Sequence, residues 1–303
     1  MQNVFKPITW ALAVVLLTDL AACTKAKFDD SYTKGDVPPL GDYKNSNDVA
    51  AANLLAHWTF DSTNEETISH TAPTNAVNAS FVKGVHGPAL HLNAGYISYP
   101  VVNALNIANY GSVSVSLWIN VDNNGKTASE FFALTPGPDA QNDWGSVINV
   151  YAETGAHTVA YDDTLVLHGA VGSYPKGLRI GGDNLNDYGN RGTDFQTLHG
   201  TNKWVHYVMV YNAGDSTLNL YANNIKISNN NFAYRGNIGP IIAPIPVQPL
   251  IGAWPNAATG FAKSGVQDWQ GFLTGSIDEL RVYNKALGAD EIHALYFFER
   301  LGN

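Results

Sequence analysis

The stretch from Gly275 to Tyr296 constrains the fold of this chain more than any other. Ser276-Ile277-Asp278-Glu279-Leu280-Arg281-Val282-Tyr283 alternates in the way a half-buried strand does. By parity Asp278, Leu280 and Val282 share one face, expected to be the core side, and Ile277, Glu279, Arg281 and Tyr283 share the other. Asn284 and Lys285 turn the chain into a short helix. Gly288 stands at its N-cap and Glu291, three residues on, at the capping-box position. Ile292, Leu295 and Tyr296 make the helix's apolar side. A strand that runs straight into one closing helix is a specific combination.

The run Ile277 to Asn284, then Ala286-Leu287 and Glu291-Ile292, closely resembles the closing motif of the LamG-like jelly rolls, a group within the concanavalin A-like lectin/glucanase superfamily. The family usually has Ser where this chain has Gly288, and Gly is a tolerated N-cap. Phe81 to Leu92, with Gly84 and Gly87-Pro88, followed by Tyr96-Ile97-Ser98-Tyr99, resembles the family's Gly-rich turn entering a strand. Trp204-Val205-His206 to Tyr211, a turn at Gly214-Asp215, and Thr217 to Asn223 resemble its Trp-x-His hairpin, with Asn223-Asn224 where Asn-Gly is usual. The likeness spans about residues 53–298 and is weakest from Pro136 to Asn202. It implies an all-β, two-sheet antiparallel jelly-roll sandwich with a short C-terminal helix, occupying residues 50–303.

Composition agrees with that class. Of the 303 residues 45% are hydrophobic, enough for one large core, and only 14% are charged, with abundant Gly, Tyr and Trp. The net charge of −9 and the lack of a basic run argue against nucleic acid as a partner. One cysteine, Cys23, rules out an internal disulfide framework or a multi-Cys zinc site.

Cys23 has another meaning. Lys6 precedes an apolar run from Ile8 to Leu17, too short for a membrane span, which ends in Leu20-Ala21-Ala22-Cys23 and resembles a bacterial lipobox. In that reading residues 1–22 are a signal peptide and Cys23 carries the lipid that anchors the chain to a membrane. Thr24 after the cysteine implies the outer membrane, with exposure on the cell surface as an extension. Residues 23–49, largely polar with Pro38-Pro39 and Gly41, read as a flexible tether.

Three kinds of chemistry are open to such a chain. Retaining glucanases on this superfold use Glu-x-Asp-x-Glu on one strand; around Asp278 the flanking positions are Ser276 and Leu280, so both glutamates are missing and no enzyme is expected. In LamG-like domains the positions of Asp61 and Asp278 lie near each other and often bind a structural calcium, which is the metal the resemblance implies. Two readings of the pair stand, as calcium ligands with backbone carbonyls near Gly84 and Val85, or as hydrogen-bonding residues, Asp61 in an Asx-turn and Asp278 accepting backbone N–H bonds. His206 shares parity with Trp204, Val208 and Val210 and reads as a core histidine.

The third is sugar binding, in which aromatic faces stack on a pyranose and polar side chains take its hydroxyls. Trp144, Trp254 and Trp269 lie in Gly-, Asn- and Pro-rich stretches and are expected to be accessible, with Asn256, Asp268, Asp183 and Tyr188 as polar partners. Trp58, Trp118 and Trp204 lie in alternating strands and are expected in the core. The function that follows is a lipid-anchored outer-membrane lectin-like protein that holds a polysaccharide near a degradation or uptake complex. A protein-interaction or adhesion module on the cell surface is the alternative, with a glycoside hydrolase behind it.

Overall fold

The computed structural model describes residues 39–136, 145–156, 163–186, 194–261, 263 and 265–302. Within them the strands are β1 (Leu54–Trp58), β2 (Asn75–Lys83), β3 (Pro88–Ser98), β4 (Asn109–Gly111), β5 (Val113–Val121), β6 (Ser129–Thr135), β7 (Ile148–Ala152) and β8 (Leu167–Ser173). There follow β9 (Ile180–Leu185), β10 (Val205–Asn212), β11 (Thr217–Ala222), β12 (Ile225–Lys226), β13 (Ile241–Ile242), β14 (Gln248–Ile251), β15 (Leu273–Tyr283) and the single helix α1 (Ala289–Leu301). Paired strands run antiparallel in the order β12-β11-β10-β5-β15-β3-β14-β6-β7-β8-β9, with β1 beside β15 and β2 beside β3.

This long sheet curls until its two halves face each other as a β-sandwich. Alternation supplies the core: Val115, Leu117 and Ile119 of β5, Tyr207 and Met209 of β10, and Val150 and Leu167 on the opposite half are all buried in one cluster. The halves meet closely at Gly169, where a Cβ would lie 2.8 Å from Met209 Sδ and 3.0 Å from Leu220 Cδ2. Only glycine fits that approach without displacing a neighbour.

The closing strand lies between β5 and β3. Its face assignment holds for Leu280 and Val282 but must be corrected at Ile277 and Asp278. Register with β5 shifts between Asp278 and Arg281, and Glu279 between them has a left-handed φ of 48°. This bulge inverts the parity. Ile277, Leu280 and Val282 join the core, while Asp278 bonds the turn at Val85 and Arg281 bonds α1. The helix begins as expected, with the Gly288 N–H donating to Glu291 Oε2 at 2.9 Å. Gly302, at φ 72°, closes it in the left-handed cap that favours glycine.

The chain before Ala50 also differs from the expected tether. Val49 is fully buried against Leu287 and Leu295, with Leu40 and Tyr43 packed beside it, and Arg281 donates to Ser46 Oγ and Asn47 Oδ1 at 3.0 and 2.8 Å. Apolar contacts and a buried cation recruit residues 39–49 to the domain, so its edge lies before residue 50. Residues 1–22, expected to be a signal peptide, and Cys23 lie outside the described residues.

Candidate functional site

Three aromatic rings mark one face of the β6–β7–β8 region. Tyr151 on β7 stands opposite His168 on β8, with ring centroids 4.4 Å apart. The segment between β14 and β15 lays Trp254 edge-on to Tyr151 at 4.8 Å, and Trp269 edge-on to Trp254 at 4.7 Å. Asn256 braces this segment: its Nδ2 donates to Gln270 Oε1 at 2.9 Å and its Oδ1 accepts the Ala258 N–H at 2.9 Å. The Ala128 N–H donates to the Trp269 carbonyl at 2.8 Å, and the Trp269 indole N–H donates to Gln267 Oε1 at 2.9 Å. The ring of Trp269 is thus fixed before any ligand arrives, which lowers the entropic cost of binding.

A cavity of about 370 Å³ opens beside these rings, lined by Lys126, Ala128, Tyr151, Glu153, Gly155, Ala156 and Trp269. Its polar edge continues into a chain of charges. His168 pairs through Nδ1 with Glu153 Oε1 at 2.7 Å and through Nε2 with Asp183 Oδ2 at 2.8 Å, and Arg235 donates to Asp183 Oδ1 at 3.1 Å. Burial opposes a charge on His168, but the two carboxylates more than offset it and hold its pKa above the ordinary histidine value. An aromatic wall with a carboxylate and an amine at the same opening can stack an apolar ring face and hydrogen-bond its substituents.

The structure gathers part of the set read from the sequence. Trp254, Trp269 and Asn256 come together, Asp268 is exposed beside Trp269, and Asp183 joins through His168. Trp254 is a correction: it is fully buried, because the loop-like segment that carries it folds down onto Tyr151. Asn256, 3% exposed with its amide engaged internally, is likewise a brace and no ligand contact. Trp144 and Tyr188 lie outside the described residues. Tyr151, Glu153, Lys126 and His168 were not singled out. Tyr151, Glu153 and His168 sit in the stretch least like the family, Lys126 lies just before it, and Tyr151 in an alternating strand reads as ordinary core.

A second polar cluster surrounds the bulge. Asp278 Oδ2 accepts the N–H groups of Val85 and His86 at 2.8 and 3.1 Å, and Oδ1 accepts the Glu279 N–H at 3.0 Å. Burial pushes the Asp278 carboxyl up to about 8, while the backbone donors pull the other way. A Cβ at Gly84 would collide with Asp278, and one at Gly87 with Asp61, so the turn is glycine-built around both carboxylates. Glu279 Oε2 accepts from His57 Nε2 at 2.8 Å and from Arg281 at 2.6 Å, while Oε1 meets His86 Nδ1 at 3.2 Å.

This arrangement does not fit the calcium site implied for Asp61 and Asp278. Calcium takes a shell of six to eight oxygens, whereas both Asp278 oxygens are occupied by backbone donors. Among the described residues, those that bring ligand atoms within 4.8 Å of one another are Asp61, His86 and Glu279, a set with an imidazole nitrogen. In it Glu279 already carries Arg281 and His57. Asp278 therefore acts as a hydrogen-bonding residue that fixes the turn. His206 is fully buried as expected, 2.8 Å from Ser116 Oγ. Trp118 is core, but Trp204 is half-buried because it ends at the mouth of a surface pocket.

No family model matches the sequence, and no curated protein matches it. Solved structures do. The binding domain of Paraclostridial Mosquitocidal Protein 1 superposes with a TM-score of 0.51 at 16% identity, over 81% of this chain and 52% of that one. The botulinum neurotoxin serotype D ligand binding domain, in complex with N-acetylneuraminic acid, gives 0.51 at 13% identity, over 83% of this chain and 52% of that one. Domain 4 of a GH43 extracellular arabinanase from Geobacillus stearothermophilus, in complex with arabinotriose, gives 0.49 at 18% identity, over 80% and 98%. The chain spans about half the length of the two toxin domains. What the two toxin domains share with it is the fold, an antiparallel β-sandwich.

Proposed function

We infer that this chain is a glycan-binding protein that holds its ligand without cleaving it, anchored through lipid on Cys23 to the outer membrane beside a polysaccharide degradation or uptake system. The observation that carries the binding reading is the fixed Trp269 ring standing over a cavity of about 370 Å³ with Glu153 and Lys126 at its opening. Sugars are taken by such pairings of aromatic face and polar rim. The neurotoxin D domain, with the same fold, is in complex with N-acetylneuraminic acid. Fold alone does not carry function, so the weight rests on the cavity.

The non-catalytic part is supported by the carboxylates themselves. Asp278, flanked by Ser276 and the core residue Leu280, is buried and accepts three backbone N–H bonds. Glu153 and Asp183 are both engaged by His168, which stands between them. The anchor rests on Leu20-Ala21-Ala22-Cys23.

A polysaccharide-retardation and glycan-array screen of the full-length chain tests the reading. Retention on at least one polysaccharide, with no release of reducing ends on prolonged incubation, is the expected result. No retention on any of them, or cleavage, would count against it.

A further inference from the structure

We propose that a second site, sharing no lining residue with the Tyr151–Trp269 cavity, takes a carboxylate-bearing sugar against Trp204 and Lys203. The pocket holds about 300 Å³ where β5, β10 and α1 meet the turn at Val85. Its size is at the small end for ligand sites, about 300–1,000 Å³, and suits a short unit of a chain.

The floor is aromatic and rigid. Trp118 and Tyr296 stack with centroids 5.6 Å apart and planes 18° from parallel, and the Trp118 indole N–H is fastened to Glu299 Oε2 at 2.7 Å. Trp204, a half-buried ring that alternation would place wholly in the core, supplies a further aromatic surface. Trp118 and Tyr296 are 3% and 5% exposed, so they back the pocket and hold its shape, and the exposed part of the Trp204 ring is the surface left for the apolar face of a sugar.

Charge selects the ligand. Lys203 and Arg300 line the pocket together with Val85 and the neutral Asn223, and among the described residues no acidic one lines it, in a chain whose net charge is −9. The Arg300 guanidinium lies 5.6 Å over the Tyr296 ring and donates to its hydroxyl at 2.7 Å, which holds the cation beside the stacking surface. Lys203 Nζ is 3.8 Å from Asp163 Oδ2, with both side chains about half exposed, so this pair is open to exchange for a ligand carboxylate. Asn223 accepts the His206 N–H through Oδ1 at 2.9 Å, which leaves its NH₂ as the donor for a hydroxyl. The Trp204 ring for a pyranose face, Lys203 for a carboxylate beside a second cation at Arg300, and an amide for a hydroxyl together describe a uronic-acid unit.

Calorimetric titration of the purified full-length chain with oligogalacturonate, and with a neutral galacto-oligosaccharide of the same length, tests this. Lys203→Gln and Trp204→Ala are compared with wild type, and thermal melting checks their folding. The acidic oligomer is expected to bind and the neutral one to bind at least about tenfold more weakly here. Each variant should weaken the acidic oligomer about tenfold. Trp269→Ala should leave its affinity unchanged, which separates failure of this site from failure of the first. Failure of the acidic oligomer to bind wild type, wild-type affinity in Lys203→Gln, or loss of binding in Trp269→Ala would overturn the proposal. So would equally strong competition by inorganic phosphate, which would mark a simple anion site. If Trp204→Ala does not fold, Lys203→Gln decides, since Lys203 is exposed and its removal leaves the core intact.

Discussion

Arg281 donates through Nε to Glu299 Oε1 at 2.8 Å, so a single buried ion pair joins the closing strand to the closing helix. The same guanidinium reaches Glu279, Ser46 and Asn47, and the same carboxylate accepts the Trp118 indole N–H. Strand, helix, N-terminal segment and β5 therefore meet at one buried cation.

Removing that cation should be costly. Arg281→Ala leaves Glu279 and Glu299 buried without the guanidinium they share, and breaking one side of a buried pair costs about 3–5 kcal/mol. Urea denaturation of the full-length chain should show a loss of that order. A loss below about 1 kcal/mol would place the pair among weak surface interactions.

Asp278→Ala should destabilise the fold with or without calcium. It strands the N–H groups of Val85 and His86 beside a glycine-built turn, and each unmet buried donor costs about 1–3 kcal/mol. Melting of wild type and variant in calcium and in chelator checks this. A difference between the two that appears only with calcium would restore Asp278 as a metal ligand.

His206 should make stability fall in acid. Burial, and then the Arg281 charge, push its pKa down to about 3, from an unfolded value near 6.5. Between those values the unfolded chain binds the extra proton, so this contribution is present above about pH 6.5 and is lost as pH falls toward 3. One proton corresponds to a slope of about 1.4 kcal/mol per pH unit. Other buried groups titrate in the same window, so the readout is the difference between wild type and His206→Gln across pH. A difference that does not change with pH would mean that His206 is not held neutral.

Trp254→Ala should act on stability first. Its ring is fully buried between Tyr151 and Trp269, and loss of a large core aromatic costs about 3–5 kcal/mol. Chemical denaturation would show it; a near-neutral variant would mean that the 252–272 segment does not pack as a lid on Tyr151.

The legible parts of this fold were those with strong local periodicity. The strand ending at Tyr283, the Gly288–Glu291 helix start and the β10–β11 hairpin, with Asn223 and Asn224 both at positive φ, stand where their residues imply. The bulge at Glu279 was hidden, because no glycine marks it and a glutamate at φ 48° is held by tertiary bonds to His57 and Arg281. Residues 39–49 look polar enough for a tether, yet Leu40, Tyr43 and Val49 suffice to dock them. At the candidate site Trp269 was readable from its setting. Trp254 was not, since Gly252 and Pro255 signal irregular backbone but say nothing about what lies beneath it.

The central claim is that Trp269 is the stacking platform of the Tyr151 cavity, and retention of Trp269→Ala on a polysaccharide that retards wild type tests it most directly. Trp269 is only half-buried, so the melting temperature should move little while retention falls by about tenfold, the loss of one exposed stacking ring. Full retention by a folded Trp269→Ala chain would contradict the account.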